Sequence, residues 1–344
     1  MDFPQSISFT ITNACNLRCQ MCGQWGEEGY IRCQPERLKQ EMKLADWKRL
    51  VDELADHHIS SLLLRGGEPF LFPGIIELLQ YIHDKGLFTA IDTNGTRIKE
   101  YAEDIARIGK IHLTISLDGP EEIHDQVRGV KGTFARVREG IFLLKEFEQK
   151  SGNPIGKSFN FTISPYSIYG LGELPEAVRS LGLNVVAIVP YYFFPTEVGK
   201  AYEKEMKEAF DIPAFSWIGF HHESSGVEFD LFQTEYRKYI ANLKGITDFP
   251  YMAFSEEQYR AWFADAITPV GPLHCTNVEK LIDIQPNGEA NFCVDFVDYS
   301  MGNIRKATIA EVWNSERANR FRAYRRQKAL PVCLRCGARY MSEM

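Results

Sequence analysis

Residues 12–25 read TNACNLRCQMCGQW, and within them Cys15, Cys19 and Cys22 stand as C-x3-C-x2-C on one short loop. Three thiolates this close can hold one metal centre. A tetrahedral zinc needs four protein ligands to close its shell, or three and a deliberate opening. An iron-sulfur cube also needs four, one per iron. With three in reach, one metal position stays open, and an open position is where a substrate or cofactor coordinates.

The chain around this loop has the composition of a globular protein. Its 344 residues suffice for a barrel-sized domain plus a smaller one. Charged residues make up 25% and hydrophobic residues 44%, so disorder is not expected. The net charge of -7, from 39 basic and 46 acidic residues, argues against a general nucleic-acid binder. The start, MDFPQSISFTI, has neither a basic region nor a long apolar run, and no run of about 18 apolar residues follows, so neither export nor membrane insertion is expected. Of the eight cysteines, three cluster near the start and four near the end, with Cys33 left over as an ordinary thiol. Without a secretory signal, such clusters read as metal ligation in a reducing compartment, the cytoplasm, rather than as disulfides.

Short apolar runs alternate with amphipathic stretches from Ile7 onward, the pattern of strand-helix units around a parallel sheet. Strands are predicted at 7–11, 60–65, 88–92, 112–117, 158–163 and 184–189, with helices at 44–57, 74–85, 98–108, 133–150 and 174–181. Six strands rather than eight imply an α/β fold with an open, partial barrel. Such sheets bind ligands at the carboxyl ends of their strands. The cysteine loop follows the first strand there, GGEP (66–69) the second, TNG (93–95) the third and SLDG (116–119) the fourth. Together they outline a single site.

After Pro190 the regularity fades, and residues 191–271 are aromatic and broken by prolines; helices are expected at 197–209 and 231–243. The adjacent His221 and His222 point to opposite faces of an extended segment and suit solvent or core better than a metal. The carboxyl-terminal part carries Cys275, Cys293, Cys333 and Cys336. QPNGE (285–289) is a turn signal between strands at 280–284 and 290–294, and one helix is expected at 309–326. Three regions follow: a core at 1–195, a connecting and substrate-facing segment at 196–270, and a small hairpin-plus-helix module at 271–344.

The ordered set Cys15/Cys19/Cys22, Gly66-Gly67-Glu68-Pro69, Thr93-Asn94-Gly95 and Ser116-Leu117-Asp118-Gly119 resembles the radical S-adenosylmethionine (SAM) enzymes over roughly the first 190 residues. The resemblance implies a (β/α)6 partial TIM-like barrel and a 4Fe-4S cluster on the three cysteines whose fourth iron takes the amino and carboxylate groups of SAM. It implies reductive cleavage of SAM to a 5'-deoxyadenosyl radical that abstracts a substrate hydrogen. It assigns Gly66, Gly67 and Glu68 to the methionine amino group. Ser116 and Asp118 are candidates for the ribose or amino-acid end, and Arg128, with Arg136 as competitor, for the carboxylate.

Cys275, Gly288 and Cys293 as C-x12-G-x4-C, then GNIRKATIAEVWNSERANRFR and the closing C-x2-C, resemble the auxiliary-cluster modules called SPASM and, when shortened, twitch. No cysteine follows Cys336. One auxiliary 4Fe-4S cluster with all four thiolates supplied is expected, although four cysteines would equally satisfy a structural zinc. Such a cluster suits acceptance of an electron from a substrate radical. Asp295 and Asp298 are candidate bases by position alone. Arg317, Arg320, Arg322, Arg325 and Arg326 form a basic run that reads as a solvated face, or as a dock for a reduced flavodoxin- or ferredoxin-type donor. The leading expectation is an oxidoreductase acting on a small molecule, such as a sugar-type dehydrogenation. A peptide-modifying enzyme is the alternative, and a non-catalytic iron-sulfur or zinc protein the reading from another class. Only six residues precede the first predicted strand, which tilts the expectation away from a leader-bearing peptide.

Overall fold

Leu/Ile/Val-rich runs and amphipathic helices alternate as expected in the computed structural model, which describes residues 2–249, 252, 254–271 and 273–339. Six strands run parallel: β1 (Ser6–Thr12), β2 (Ser61–Gly66), β3 (Phe88–Thr93), β4 (Ile111–Ser116), β5 (Gly156–Ile163) and β6 (Val185–Pro190). Between and before them lie α1 (Tyr30–Cys33), α2 (Leu44–Asp56), α3 (Ile75–Asp84), α4 (Ile98–Ile108), α5 (Glu121–Arg128), α6 (Thr133–Ser151) and α7 (Leu174–Ser180). The predicted strands and helices are all present, and α1 and α5 are additions.

Side chains alternate across each strand, so the sheet has two faces. One packs against the helices and is apolar: Phe9, Leu64, Ile91, Leu113, Phe159 and Phe161 are fully buried, and the Phe9 ring lies 5.0 Å from that of Trp47. The other lines the barrel lumen and is polar, with Thr10, Arg65, Asp92, Thr114 and Asn160 in neighbouring registers. The lumen is therefore built to receive a ligand rather than to be filled by core.

The connecting segment holds α8 (Thr196–Phe210), α9 (Phe229–Asn242), the two-residue β7 (Thr247–Asp248) and α10 (Glu256–Ala264). The unpredicted α10 begins at a Ser255 capping box with Gln258. Its aromatics are core, with Phe232 lying 4.9 Å from Tyr259 and 5.4 Å from Phe263. The adjacent histidines part as expected: His221 sits between Glu28 and Glu223, and His222 packs on Tyr191.

The carboxyl-terminal part comprises α11 (Asn277–Lys280), β8 (Leu281–Ile284), β9 (Glu289–Asn291), β10 (Gly302–Asn303), α12 (Ile309–Trp313) and α13 (Glu316–Gln327). The expected hairpin is present, and β8 also pairs in parallel with β1, setting Ile7 beside Ile282 and Phe9 beside Ile284. The sheet thus continues as β10-β9-β8-β1-β2-β3-β4-β5-β6-β7. Two expectations are corrected here. The single helix at 309–326 is two, because the Ser315 hydroxyl accepts from Ala318 N–H and starts a new helix. The arginine run is not a free basic face: Arg322 and Arg325 are buried, Arg326 pairs with Glu279, and Arg317 and Arg320 bind the Ser300 and Ala209 carbonyls. Among the described residues, no helix is long and apolar enough to cross a membrane.

Candidate metal centre

The loop after β1 is held by its neighbours more than by itself. Gly67 N–H donates to Thr12 O and Glu68 N–H to Ala14 O, both at 2.8 Å, clamping the GGEP segment against the entry of the cysteine loop. Both glycines are required by that approach: a Cβ on Gly66 would lie 2.3 Å from Thr12 O, and one on Gly67 2.2 Å from Ala14 O. On the far side, Arg18 and Gln20 N–H groups donate to the Arg128 and Val127 carbonyls at the end of α5. Asn16 bonds Thr96 and Asn94 at 2.9 Å each, joining the loop to the turn after β3. The four separate motifs are thereby one hydrogen-bonded assembly.

Each sulfur of the loop faces N–H donors. Leu17 N–H lies 3.5 Å and Asn94 Nδ2 4.0 Å from Cys15 Sγ, Arg128 lies 3.6 Å from Cys19 Sγ, and Trp25 N–H 3.3 Å from Cys22 Sγ. Burial, reinforced by neighbouring thiolates, pushes the Cys15 thiol up to about 12. Burial also pushes Cys19 up to about 11, against the pull of Arg128. Donors suited to thiolates surround thiols that would not ionise alone, so the set fits a site where bound metal supplies the compensating charge. Among the described residues no three His, Cys, Asp or Glu side chains close on a single ion. A cube spreads its ligands over several irons.

The residues expected to contact SAM are held by protein groups near this loop. Glu68 is fully buried, and its carboxylate accepts from Phe70 N–H, Thr93 Oγ1 and Asn94 N–H at 2.7–3.1 Å. Burial raises that carboxyl to about 7 despite these bonds. Asp118, also fully buried, binds Arg128 through two nitrogens at 2.5 and 3.0 Å. Both acids are engaged within the protein, and those bonds set the positions of the turn after β3 and of the Arg128 guanidinium. Ser116 stands partly exposed at the end of β4, and Arg136 bonds Thr133 in its own helix. Sequence reasoning missed Glu41, which takes Thr12 Oγ1 at 2.9 Å and Asn13 N–H at 2.6 Å. It also missed Trp25, whose indole N–H donates to Asn13 O at 2.8 Å. Their partners lie too far along the chain for local pattern to reveal them.

In the terminal module Cys275, Cys293, Cys333 and Cys336 line one cavity with Arg325 and Asp295. Burial and mutual repulsion raise the Cys293 and Cys336 thiols, while Arg325 pulls Cys293 down. All four thiols act on the buried Arg325 guanidinium, so they share one neighbourhood as a four-sulfur site requires. Asp295 is ion-paired with Arg65 of β2 at 3.3 Å. Asp298 is no open base: it accepts from Tyr202, from Phe215 N–H and from both the N–H and hydroxyl of Ser216.

This arrangement is matched by two family models, the radical SAM superfamily over residues 9–161 and SPASM, an iron-sulfur cluster-binding domain, over residues 275–337. The chain belongs to the radical SAM superfamily. It is a SAM-cleaving enzyme whose SPASM domain brings an auxiliary 4Fe-4S cluster beside the SAM-binding one. AdoMet-dependent heme synthase of Methanosarcina barkeri is 25% identical over 98% of this chain and 92% of its own length. Bacillus subtilis AlbA, an antilisterial bacteriocin subtilosin biosynthesis protein, is 25% identical over 99% of this chain and 68% of its own. Fe-coproporphyrin III synthase of M. barkeri is 31% identical, but its match spans 47% of this chain and 38% of that protein. Among solved structures, Streptococcus suis SuiB bound to S-adenosylmethionine superposes with a TM-score of 0.61 at 17% identity, over 97% of this chain and 72% of that one. That likeness shows the partial-barrel fold of a radical SAM enzyme.

Proposed function

We propose that this radical SAM enzyme oxidatively modifies a peptide, with the terminal cluster taking the electron left on the substrate. Bound at Cys15, Cys19 and Cys22, the cube and SAM supply a 5'-deoxyadenosyl radical. The protein holds SAM at the strand ends, through the Gly66 and Gly67 backbone, Ser116 and Arg128, and keeps water from the reacting carbon. AlbA, the sporulation killing factor maturation protein SkfB and PqqA peptide cyclase, all similar to this chain, support this over the small-molecule dehydrogenation that the sequence first suggested.

The heme synthase likeness covers as much of the chain and supports a second reading, a porphyrin substrate. The lumen favours the peptide. Arg65 faces Asp92, Asp283 and Asp295 there. Asp295 pairs directly with Arg65, Asp283 is wholly buried, and Asp92 bonds Thr114 and faces Arg65, with its carboxyl raised by the enclosing walls. Three carboxyl groups gathered on one guanidinium make the lumen a poorer host for the propionates of a porphyrin than for the neutral or basic groups of a peptide. That charge balance carries the conclusion.

Anaerobically reconstituted protein, given dithionite or a flavodoxin- or ferredoxin-type donor and SAM, is expected to form 5'-deoxyadenosine and to remove hydrogen from members of a peptide pool, seen by mass spectrometry. Cys22→Ala abolishes both. Turnover of a coproporphyrin and of no peptide would replace the proposal with the second reading.

A further inference from the structure

Between the cysteine loop and the β8–β9 hairpin lies a cavity of about 190 Å³ that no step above uses. It is smaller than the roughly 300–1,000 Å³ of a pocket for a whole small ligand, and suits a single side chain. Asn13, two residues before Cys15, stands in its wall, as does Tyr30, which also faces Arg65 and Asp295 of the lumen.

The two acids of the wall hold donors from within the protein. Asp298 has its four donors. Glu289 takes the Ser300 hydroxyl and the Asn303 amide, and Arg37 donates to Gln34 and lies 4.6 Å over the Phe215 ring. The exception is Asn291 of β9. It is 1% exposed, lines the cavity, sits opposite Asp283 in the ladder, and has no partner for either Nδ2 or Oδ1. A buried carboxamide with both ends unanswered is costly and is retained where something else completes it.

We propose that this cavity is a substrate subsite for one primary carboxamide, the side chain of an asparagine or glutamine in the peptide. A primary amide carries an N–H and a carbonyl on the same side, so it can pair with Asn291 through two parallel bonds, Nδ2–H to its oxygen and its N–H to Oδ1. A secondary trans amide cannot, since its N–H and C=O point apart. The two acids of the wall already hold their donors, so a neutral amide suits the cavity better than a cation. The proposal rests on the peptide reading and names the residue that such a peptide presents beside the modified one.

The test uses the reconstituted holoenzyme and propionamide as probe, with methyl acetate and propionamidine as controls, followed by ligand-observed NMR and by crystal soaks. Wild type binds propionamide in preference to both, and Asn291→Leu weakens it about tenfold or more while leaving substrate-free formation of 5'-deoxyadenosine unchanged. Asn291→Asp reverses the preference toward propionamidine, a switch that loss of packing alone would not produce. The proposal is overturned if propionamide binds no better than the ester, if both variants bind it like wild type, or if soaked crystals keep only water on Asn291. Amide binding without any modified peptide would sink the peptide reading alone. Peptide turnover with KM unmoved by Asn291→Leu would sink the subsite alone.

Discussion

Gly67 shows how one atom governs the metal loop. A methyl group there would meet Ala14 O at 2.2 Å, and that oxygen is the acceptor holding Glu68 N–H. Gly67→Ala therefore pushes the loop away from β2, at a cost of about 2 kcal/mol, with cluster loading lost before fold. Circular dichroism close to wild type alongside a sharply lower iron content is the expected result, and normal iron content would remove the steric account. The glycine pair was visible in the sequence because GGEP is a short string. The work of Glu68, Asp118 and Glu41 was not. Their carboxylates looked like ligands or went unnoticed, because whether an acid is spent on Thr93 and Asn94, or on Arg128, depends on contacts that only the folded barrel makes.

At the scale of elements, periodicity revealed the six strands and their helices because each repeats an apolar pattern locally. It failed where a single side chain outweighs the pattern. Residues 309–326 read as one helix, yet Ser315 accepts from Ala318 N–H and donates to Met301 O, stopping α12 and starting α13 in a new direction. Ser315→Ala is expected to lower stability by about 1 kcal/mol. A larger effect on the auxiliary cluster than on the SAM-binding one should accompany it, because α13 carries Arg325 into the four-cysteine site; equal loss of both clusters would count against that link. The pairing of β8 with β1 lay beyond sequence reading altogether, since the two strands are more than 270 residues apart and nothing local marks their register.

The whole molecule is two metal sites built against one sheet, and that continuity makes two further outcomes testable. Replacing Cys333 and Cys336 with serine should take iron from about eight per chain to about four while SAM cleavage persists, and zinc in the terminal site would rule out the electron-accepting role proposed above. The second outcome concerns Asp283, where the terminal hairpin meets the lumen. Burial drives its carboxyl up to about 6, although Arg65 pulls it down. An unfolded aspartate titrates near 3.9, so between about pH 4 and pH 6 the folded chain holds the proton more tightly than the unfolded one. The stability this contributes is fully present below about pH 4 and is lost as pH rises through about 6, a difference of roughly 2–3 kcal/mol. Asp283→Asn, which cannot titrate, should keep its stability where wild type falls. Anaerobic urea titrations at pH 4.5 and pH 7.5 compare the two: a wild type that loses no more than the variant over that interval would mean that the carboxylate rests in the sheet without cost, already compensated by Arg65.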